Sequence, residues 1–372
     1  MNTMKQAGLY LHLPFCVRKC AYCDFASYTG REHLMADYAR ALEREMDRAA
    51  QEGVSIRTVY IGGGTPSLFP PEEMDRVLRR MEARFAILPD AEMSCEMNPG
   101  TVTEEFLSVL RDHRFNRISM GMQAAQNRLL SLLGRVHRRE DVEKSVALIK
   151  RMGFCNFNLD VMLGLPTQTL EDVRETLEFA LSLDPKHLSC YGLIVEENTP
   201  MHRMVESGRW TLPDVEEERA MYEICRSVLE NRGLMQYEIS NFAYPGYECR
   251  HNVDTWMRGE YIGIGCAAAG FMDGVRWQNP QGLESYLAGQ PREEQVISRE
   301  DAVFESVMLG LRMTKGVAEE DFIRMHGMTF HEAFGSKMEK PVREGLLTVQ
   351  NGVMKLTRRG MDLQNSVLVD LM

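Results

Sequence analysis

The 372-residue chain contains no run of the ~20 consecutive apolar residues that a membrane-spanning helix requires. Its opening stretch, MNTMKQAGLYLHLPF, carries one lysine and too short an apolar run for a secretory leader. Basic charge is in deficit. Against 54 Asp and Glu stand 43 Lys and Arg, a net charge of −11. That balance argues against a general nucleic-acid binder, because phosphate attraction needs a basic face. Tandem repeats and low-complexity tracts are absent. A disulfide framework is also excluded as the reading of the cysteines. There are nine, an odd number, and without a leader they read as metal ligands and small buried hydrophobes. What remains is an expected cytoplasmic globular protein. Its 44% hydrophobic content is ample for a core, and the 26 methionines read as adaptable core filler. At roughly 100–200 residues per domain, two or three domains are expected.

Strand and helix signals alternate along the first two thirds. Strands are predicted at 8–14, 57–61, 91–99, 116–123, 156–164 and 187–193. Helices are predicted at 34–50, 71–85, 103–113, 140–153, 170–183 and 213–232. Six strand-then-helix units imply an α/β fold with a parallel sheet and right-handed crossovers. A full or partial TIM-type barrel fits best, with a doubly wound sheet as the alternative. Residues 237–271 are rich in glycine and aromatics and lack helical periodicity. Helical pattern returns at 299, followed by a hairpin turning at Asn351-Gly352 and a final helix. This reads as a winged-helix-like α+β module, for packing rather than DNA reading. The expected division is 1–235 as the core barrel, 236–298 as its extension and 299–372 as the C-terminal domain.

The chemistry-bearing stretch is CVRKCAYCDF, residues 16–25. Cys16, Cys20 and Cys23 follow the spacing C-x3-C-x2-C on a loop after an apolar strand. Three readings stand. A structural zinc site wants four closed ligands, the fourth from His12 or Cys95. Thiol redox chemistry would use one C-x-x-C pair and leave Cys16 unexplained. An iron–sulfur cubane held by three thiolates would leave one iron open to a small chelating ligand.

The motif resembles that of the radical S-adenosylmethionine (SAM) superfamily, in which the open iron chelates the methionine end of SAM. In a TIM-type barrel, chemistry sits at the C-terminal strand ends. Polar residues there are the candidate SAM-holding set. Gly62, Gly63, Gly64 and Thr65 follow the second strand, where backbone N–H groups approach an anion closely, and they could hold the SAM amino or carboxylate group. Glu96 interrupts the third strand and would pair with a cationic ligand. Gln123 follows the fourth strand. Arg135 suits the SAM carboxylate and Asp160 the ribose hydroxyls, although these two could instead form an internal ion pair. Tyr10 is expected to stack near the cluster.

Further stretches carry a resemblance to the HemN-like family: VYIGGGTPSLF, CEMNPGT, RISMGMQ, LLGRVH, NLDVMLGLPTQT, YEISNFAYPGYECRHN and YIGIGC. The resemblance covers nearly the whole chain. It implies a partial (β/α)6 radical SAM barrel, a HemN-type C-terminal domain, a 4Fe–4S cluster and SAM. Phe25 stands where the family's coproporphyrinogen dehydrogenases carry a fourth cysteine, and only fifteen residues precede Cys16. The chain is therefore more similar to the haem-chaperone members. That implies haem as a further ligand and respiratory membrane haem proteins as acceptors. It also implies transient membrane association through those acceptors and no coproporphyrinogen oxidase activity. His251 is the candidate haem ligand, with Cys249 as the alternative donor. Two departures bear on it. Thr255 replaces the tyrosine of the related H-N-x-x-Y-W pattern, and Ala269 stands where many relatives carry histidine. His33, His113, His187, His202, His326 and His331 are expected on the surface. The rivals are a catalytic radical SAM enzyme (a porphyrinogen dehydrogenase or a methyltransferase) and a zinc-clipped structural protein. Nucleic acid is not an expected partner, and a homodimer stays open.

Overall fold

The protein is seen here in a computed structural model that describes residues 5–372. Six parallel strands carry the first two thirds: β1 (Lys5–Leu13), β2 (Val54–Gly63), β3 (Ala86–Met97), β4 (Arg117–Gln123), β5 (Phe157–Leu163) and β6 (His187–Gly192). Between them run α1 (Met35–Ala49), α2 (Pro71–Arg84), α3 (Glu104–Asp112), α4 (Asn127–Leu132), α5 (Arg139–Arg151) and α6 (Leu170–Ser182). Then come α7 (Pro200–Glu206) and α8 (Val215–Asn231). Local chemistry sets these bounds. Thr169 with Asp172 opens α6 as a capping box, and Asp214 with Glu217 opens α8 the same way.

The strands lie side by side in chain order, β1 through β6. A doubly wound sheet reverses its order at a switch point. None occurs here, so the winding is that of a partial barrel. Alternation within each strand sorts the two faces. Leu9, Leu11, Val59, Ile61, Met93, Cys95, Ile118, Met120, Leu159, Val161 and Leu188 are all buried in one hydrophobic core shared with the helices. The residues between them are polar and face the barrel interior.

The segment expected to lack helix contains one. After β7 (Met235–Glu238) and β8 (Asn241–Ala243) comes α9 (Arg250–Trp256). Its first N–H groups, on Arg250 and His251, donate to the Glu92 carboxylate of β3 at 3.0 and 3.1 Å. A cap supplied by a distant strand has no local sequence signature. The rest of this segment extends the sheet at both ends. β8 pairs antiparallel with β6, and β9 (Tyr261–Ile264) pairs parallel with β1. Outside β9 lie β10 (Ala269–Met272), β11 (Val275–Gln278) and, after α10 (Leu283–Leu287), β12 (Glu293–Val296).

A second hydrophobic core belongs to the C-terminal module. It comprises α11 (Arg299–Gly310), β13 (Val317–Ala318), α12 (Glu319–His326), α13 (Phe330–Phe334), α14 (Glu339–Arg343), β14 (Leu347–Gln350), β15 (Val353–Leu356), α15 (Arg358–Asp362) and α16 (Gln364–Leu371). Asn351 and Gly352 connect β14 to β15, both with positive φ, as a two-residue primed turn requires.

One buried carboxylate fastens the extension to the barrel. Glu45 of α1 accepts from the Gly265 N–H at 2.9 Å, Asn279 Nδ2 at 2.6 Å and the Tyr286 hydroxyl at 2.6 Å. Truncating it strands three buried donors. Glu45→Ala is expected to lower the unfolding free energy by about 3 kcal/mol or more, and Glu45→Gln by less, in chemical denaturation. Equal, small losses for both variants would show that the carboxylate is not a fastening.

Candidate cofactor site

The cysteine loop leaves the C-terminal end of β1 and is held at its base. Cys16 N–H donates to Tyr28 O at 2.9 Å and Tyr28 N–H to Pro14 O at 2.7 Å. The glycine turn after β2 clamps it from the side. Gly64 N–H donates to Leu13 O at 2.8 Å and Thr65 N–H to Phe15 O at 2.7 Å. A Cβ on Gly64 would stand 2.6 Å from Phe15 O, so no larger residue fits this crossing. The expectation that these N–H groups hold an anion is thereby corrected. All three are spent within the protein, since Gly63 N–H donates to Glu96 Oε2 at 3.2 Å. The turn's own polar side chain is Thr65, whose hydroxyl donates to Cys16 Sγ at 3.6 Å and accepts from Asn98 Nδ2 at 2.7 Å.

His12 anchors the loop's return. Its Nε2 lies 2.8 Å from Ala26 O and its Nδ1 2.9 Å from the Tyr10 hydroxyl. A carbonyl only accepts, so Nε2 carries the proton and Nδ1 accepts from tyrosine. Burial lowers the histidine's pKa and keeps it neutral. Both ring nitrogens are thus engaged, and Cys95 points to the opposite, outer face of β3. Neither can serve as a fourth zinc ligand. Tyr10 is corrected as well: its ring packs on Tyr60 at 6.4 Å between centroids, and it acts on the loop through His12.

Cys16, Cys20 and Cys23 open together on a cavity of ≈ 600 Å³ inside the barrel. Gly63, Gly64, Thr65, Glu96, Gln123, Arg135 and Asp160 border the same cavity. Sequence reasoning missed several of its groups. Tyr60, Asn98, Arg117, Ser119, Asn158 and Tyr191 also face it. Their signal was the polar alternation R-x-S, N-x-D and H-x-S in β4, β5 and β6. His187 is one of these. It is corrected from the surface to the interior, where its ring nitrogens sit 2.7 Å from Asn158 Oδ1 and 2.8 Å from the Tyr237 hydroxyl. His113 is buried too, between the carboxylates of Asp75 and Glu82.

Arg135 and Asp160 do not pair. Arg135 donates to Asn98 Oδ1 at 2.5 Å, Gly121 O at 2.7 Å, His137 Nδ1 at 3.3 Å and Cys20 Sγ at 3.6 Å. Asp160 accepts from Asn158 Nδ2 at 2.7 Å. Gln123 takes a positive φ of 69° at a register shift and accepts from the Tyr191 hydroxyl at 3.1 Å. Desolvation pushes the Glu96 carboxyl up to about 7, reinforced by the nearby Asp160. Desolvation also raises Asp160. Burial raises the Cys16 thiol and pushes Cys23 up to about 11. Burial thus favours the protonated forms of Glu96, Asp160, Cys16 and Cys23. A bound cation or metal would favour their ionised forms.

His251 lies at the other end of the barrel. Its ring stacks on Tyr60 at 5.2 Å, and its Nδ1 sits 2.9 Å from Thr58 Oγ1. Burial lowers its pKa to about 4. Cys249 beside it donates to Glu92 Oε1 at 3.6 Å, and burial pushes its thiol up to about 12. The His251 ring is thus held between Tyr60 and Thr58, whereas Cys249 borders the cavity. This geometry gives His251 a structural role, correcting the haem-ligand expectation for that residue.

A cysteine-bearing loop on the C-terminal rim of a partial β/α barrel defines the radical SAM class. The Radical SAM superfamily model matches residues 10–180, and the HemN C-terminal domain model matches residues 297–363. The chain is similar to the Heme chaperone HemW of Bacillus subtilis, at 36% identity over 98% of each chain. It is 35% identical to the Heme chaperone HemW of Escherichia coli, over 99% of this chain and 98% of that one. The Mycobacterium tuberculosis HemW is 33% identical, over 98% and 94%. The solved coproporphyrinogen III oxidase HemN of Escherichia coli superposes with a TM-score of 0.86 at 22% identity, over 99% of this chain and 90% of that one. The chain belongs to the HemW family. Membership of the radical SAM superfamily implies a 4Fe–4S cluster and SAM as cofactors. The donor set fits: three cysteine thiols share one cavity mouth, and the neighbouring histidines are engaged elsewhere.

Glu96 makes stability depend on pH. Its folded pKa lies above the ordinary glutamate value of 4.5, so between about 4.5 and 7 the folded state holds a proton the unfolded state has lost. Its contribution is present in full below about 4.5 and is lost as pH rises to about 7. In the cofactor-free protein, Glu96→Gln is expected to be more stable than the parent by about 1–3 kcal/mol at pH 8, with no gain at pH 4.5. Denaturation at the two pH values checks this, and a pH-independent difference would count against it.

Proposed function

We propose that the protein is a haem chaperone, which binds haem beside a 4Fe–4S cluster and SAM and hands haem to respiratory haem proteins. Cys16, Cys20 and Cys23 ligate the cluster. Glu96 and Asp160 take the cationic and ribose portions of SAM. Arg135 faces its carboxylate, while Gln123, Thr65, Gly63 and Gly64 complete the wall. When bound, the cluster supplies single electrons to the sulfonium. The chain's own residues fix the loop, exclude water and neutralise the ligand's charge. Among the described residues no helix is long and apolar enough to cross a membrane, so membrane contact would come through the acceptors.

One observation carries the haem reading. Large apolar side chains stand exposed around the cavity mouth, from three different loops: Val17 and Phe25 before α1, Val136 before α5 and Ile194 after β6. Phe25 is 63% exposed and Ile194 71%. Exposed apolar side chains gathered at a cavity mouth mark a binding surface, and a flat apolar macrocycle suits such a ring. The printed name of the curated relatives agrees with this reading.

The depth of the cavity inside the barrel also favours a second reading, a radical enzyme acting on a bound substrate. Anaerobically reconstituted protein with about four irons per chain should shift the haem Soret band. Phe25→Asp with Ile194→Asp should weaken haem binding at least ten-fold with iron content unchanged, while His251→Ala should leave the Soret position unmoved. No Soret shift in the parent protein would remove the chaperone reading. Multiple 5′-deoxyadenosine turnovers coupled to loss of a porphyrinogen would establish the enzyme instead.

A further inference from the structure

The cavity does not end at the rim. It runs down the barrel to a floor bordered by Arg117, Cys249, Asn252 and Trp256. Arg117 leaves β4 two residues before Ser119, on the inward face, and is 1% exposed. Among the described residues its Nε has no acceptor. The acidic groups that face it are Glu92 and Asp160, and both are occupied. Glu92 accepts from the Arg250 and His251 N–H groups and from Cys249 Sγ. Asp160 accepts from Asn158. Trp256 adds a second orphan, since its indole Nε1–H is buried without an acceptor while Arg312 packs over its ring at 4.2 Å.

Burying a guanidinium costs several kcal/mol unless it is paired and hydrogen-bonded. Here Arg117, with no acceptor at Nε, and Trp256, with none at Nε1, border one cavity. We propose that the barrel floor is a second ligand site, built for a carboxylate. Arg117 supplies the charge, and the Trp256 indole and Asn252 amide supply neutral donors. A planar guanidinium matches a carboxylate with two parallel hydrogen bonds. A phosphate dianion suits the floor poorly, because Glu92 and Asp160 already bring negative charge toward the single cation. The carboxylate could belong to a free small acid or to the acidic arm of a larger ligand that enters from the rim. The inference stands apart from the haem reading.

Acetate is the probe. Cluster-loaded full-length protein is titrated with sodium acetate against sodium chloride at constant ionic strength. Thermal midpoint and tryptophan fluorescence are followed. Acetate should raise the midpoint saturably and beyond chloride. Apparent affinity should fall at least ten-fold in Arg117→Gln, and the fluorescence response should vanish in Trp256→Phe. Arg117→Lys should retain part of the binding. Identical behaviour of acetate and chloride in the parent protein would overturn the proposal, as would unchanged acetate binding in Arg117→Gln. Should Arg117→Gln fail to fold, the parent comparison and Trp256→Phe still decide. Loading with haem separates the two sources. Loss of acetate binding with haem, but not with haem dimethyl ester, assigns the site to an arm of the macrocycle. Acetate binding that persists with haem assigns it to a free acid. Either result upholds the site, and an absence of haem binding would sink the chaperone reading alone.

Discussion

The site depends on one crossing of two backbones. The glycine turn after β2 lies against the start of the cysteine loop closely enough for two consecutive N–H groups to reach Leu13 and Phe15. The contact leaves no room for a side chain at Gly64. Because β1 and β2 are neighbours in register up to Leu13 and Gly63, the crossing fixes the loop relative to the barrel before any cofactor arrives. His12 adds a second fixed point through Ala26. A loop that must present three sulfur atoms in one direction would otherwise spend its ligand-binding energy on becoming ordered.

The barrel is inverted in polarity relative to one whose interior is filled by layered aliphatic side chains. Apolar residues look outward to the helices and polar ones inward to the cavity. Such an interior is costly unless each group finds a partner. Much of it does: Asn158 alone links Ser119, Asp160, His187 and Ser189. The departures from full satisfaction fall at two levels. Near the rim stands Glu96, a carboxyl that burial makes reluctant to ionise, and at the floor stand donors on Arg117 and Trp256 that lack acceptors. The two ends of one cavity therefore differ in the sign of charge they would accept.

The winding of the barrel was legible in the sequence because strand and helix periods differ and alternate cleanly. The three cysteines were legible because their spacing and position after a strand restrict the chemistry. Glu96 and Asp160 stood out as acids inside apolar strands. Arg117, Asn158 and His187 did not, since a polar residue at a strand's beginning reads equally well as a solvent-facing edge. The glycine turn was recognised but given the wrong work. Nothing in GGGT says that its N–H groups are consumed by Leu13, Phe15 and Glu96. Nor could α9 be foreseen, because its cap comes from Glu92, far away in the chain. His251 illustrates the same gap: its surroundings are made by β1 and β2, not by its neighbours in sequence.

That borrowed cap ties the closing of the barrel to the order of synthesis. A nascent chain that has not yet reached residue 249 already owns all six parallel strands and all three cysteines of the loop, but its lower end is open. Glu92 and Arg117 then meet water instead of α9. Domains generally fold as the chain emerges, so the upper rim takes shape while the base is still unplugged. The base of the cylinder is then stoppered from downstream, after the six parallel strands have been made and before β9 arrives to pair with β1.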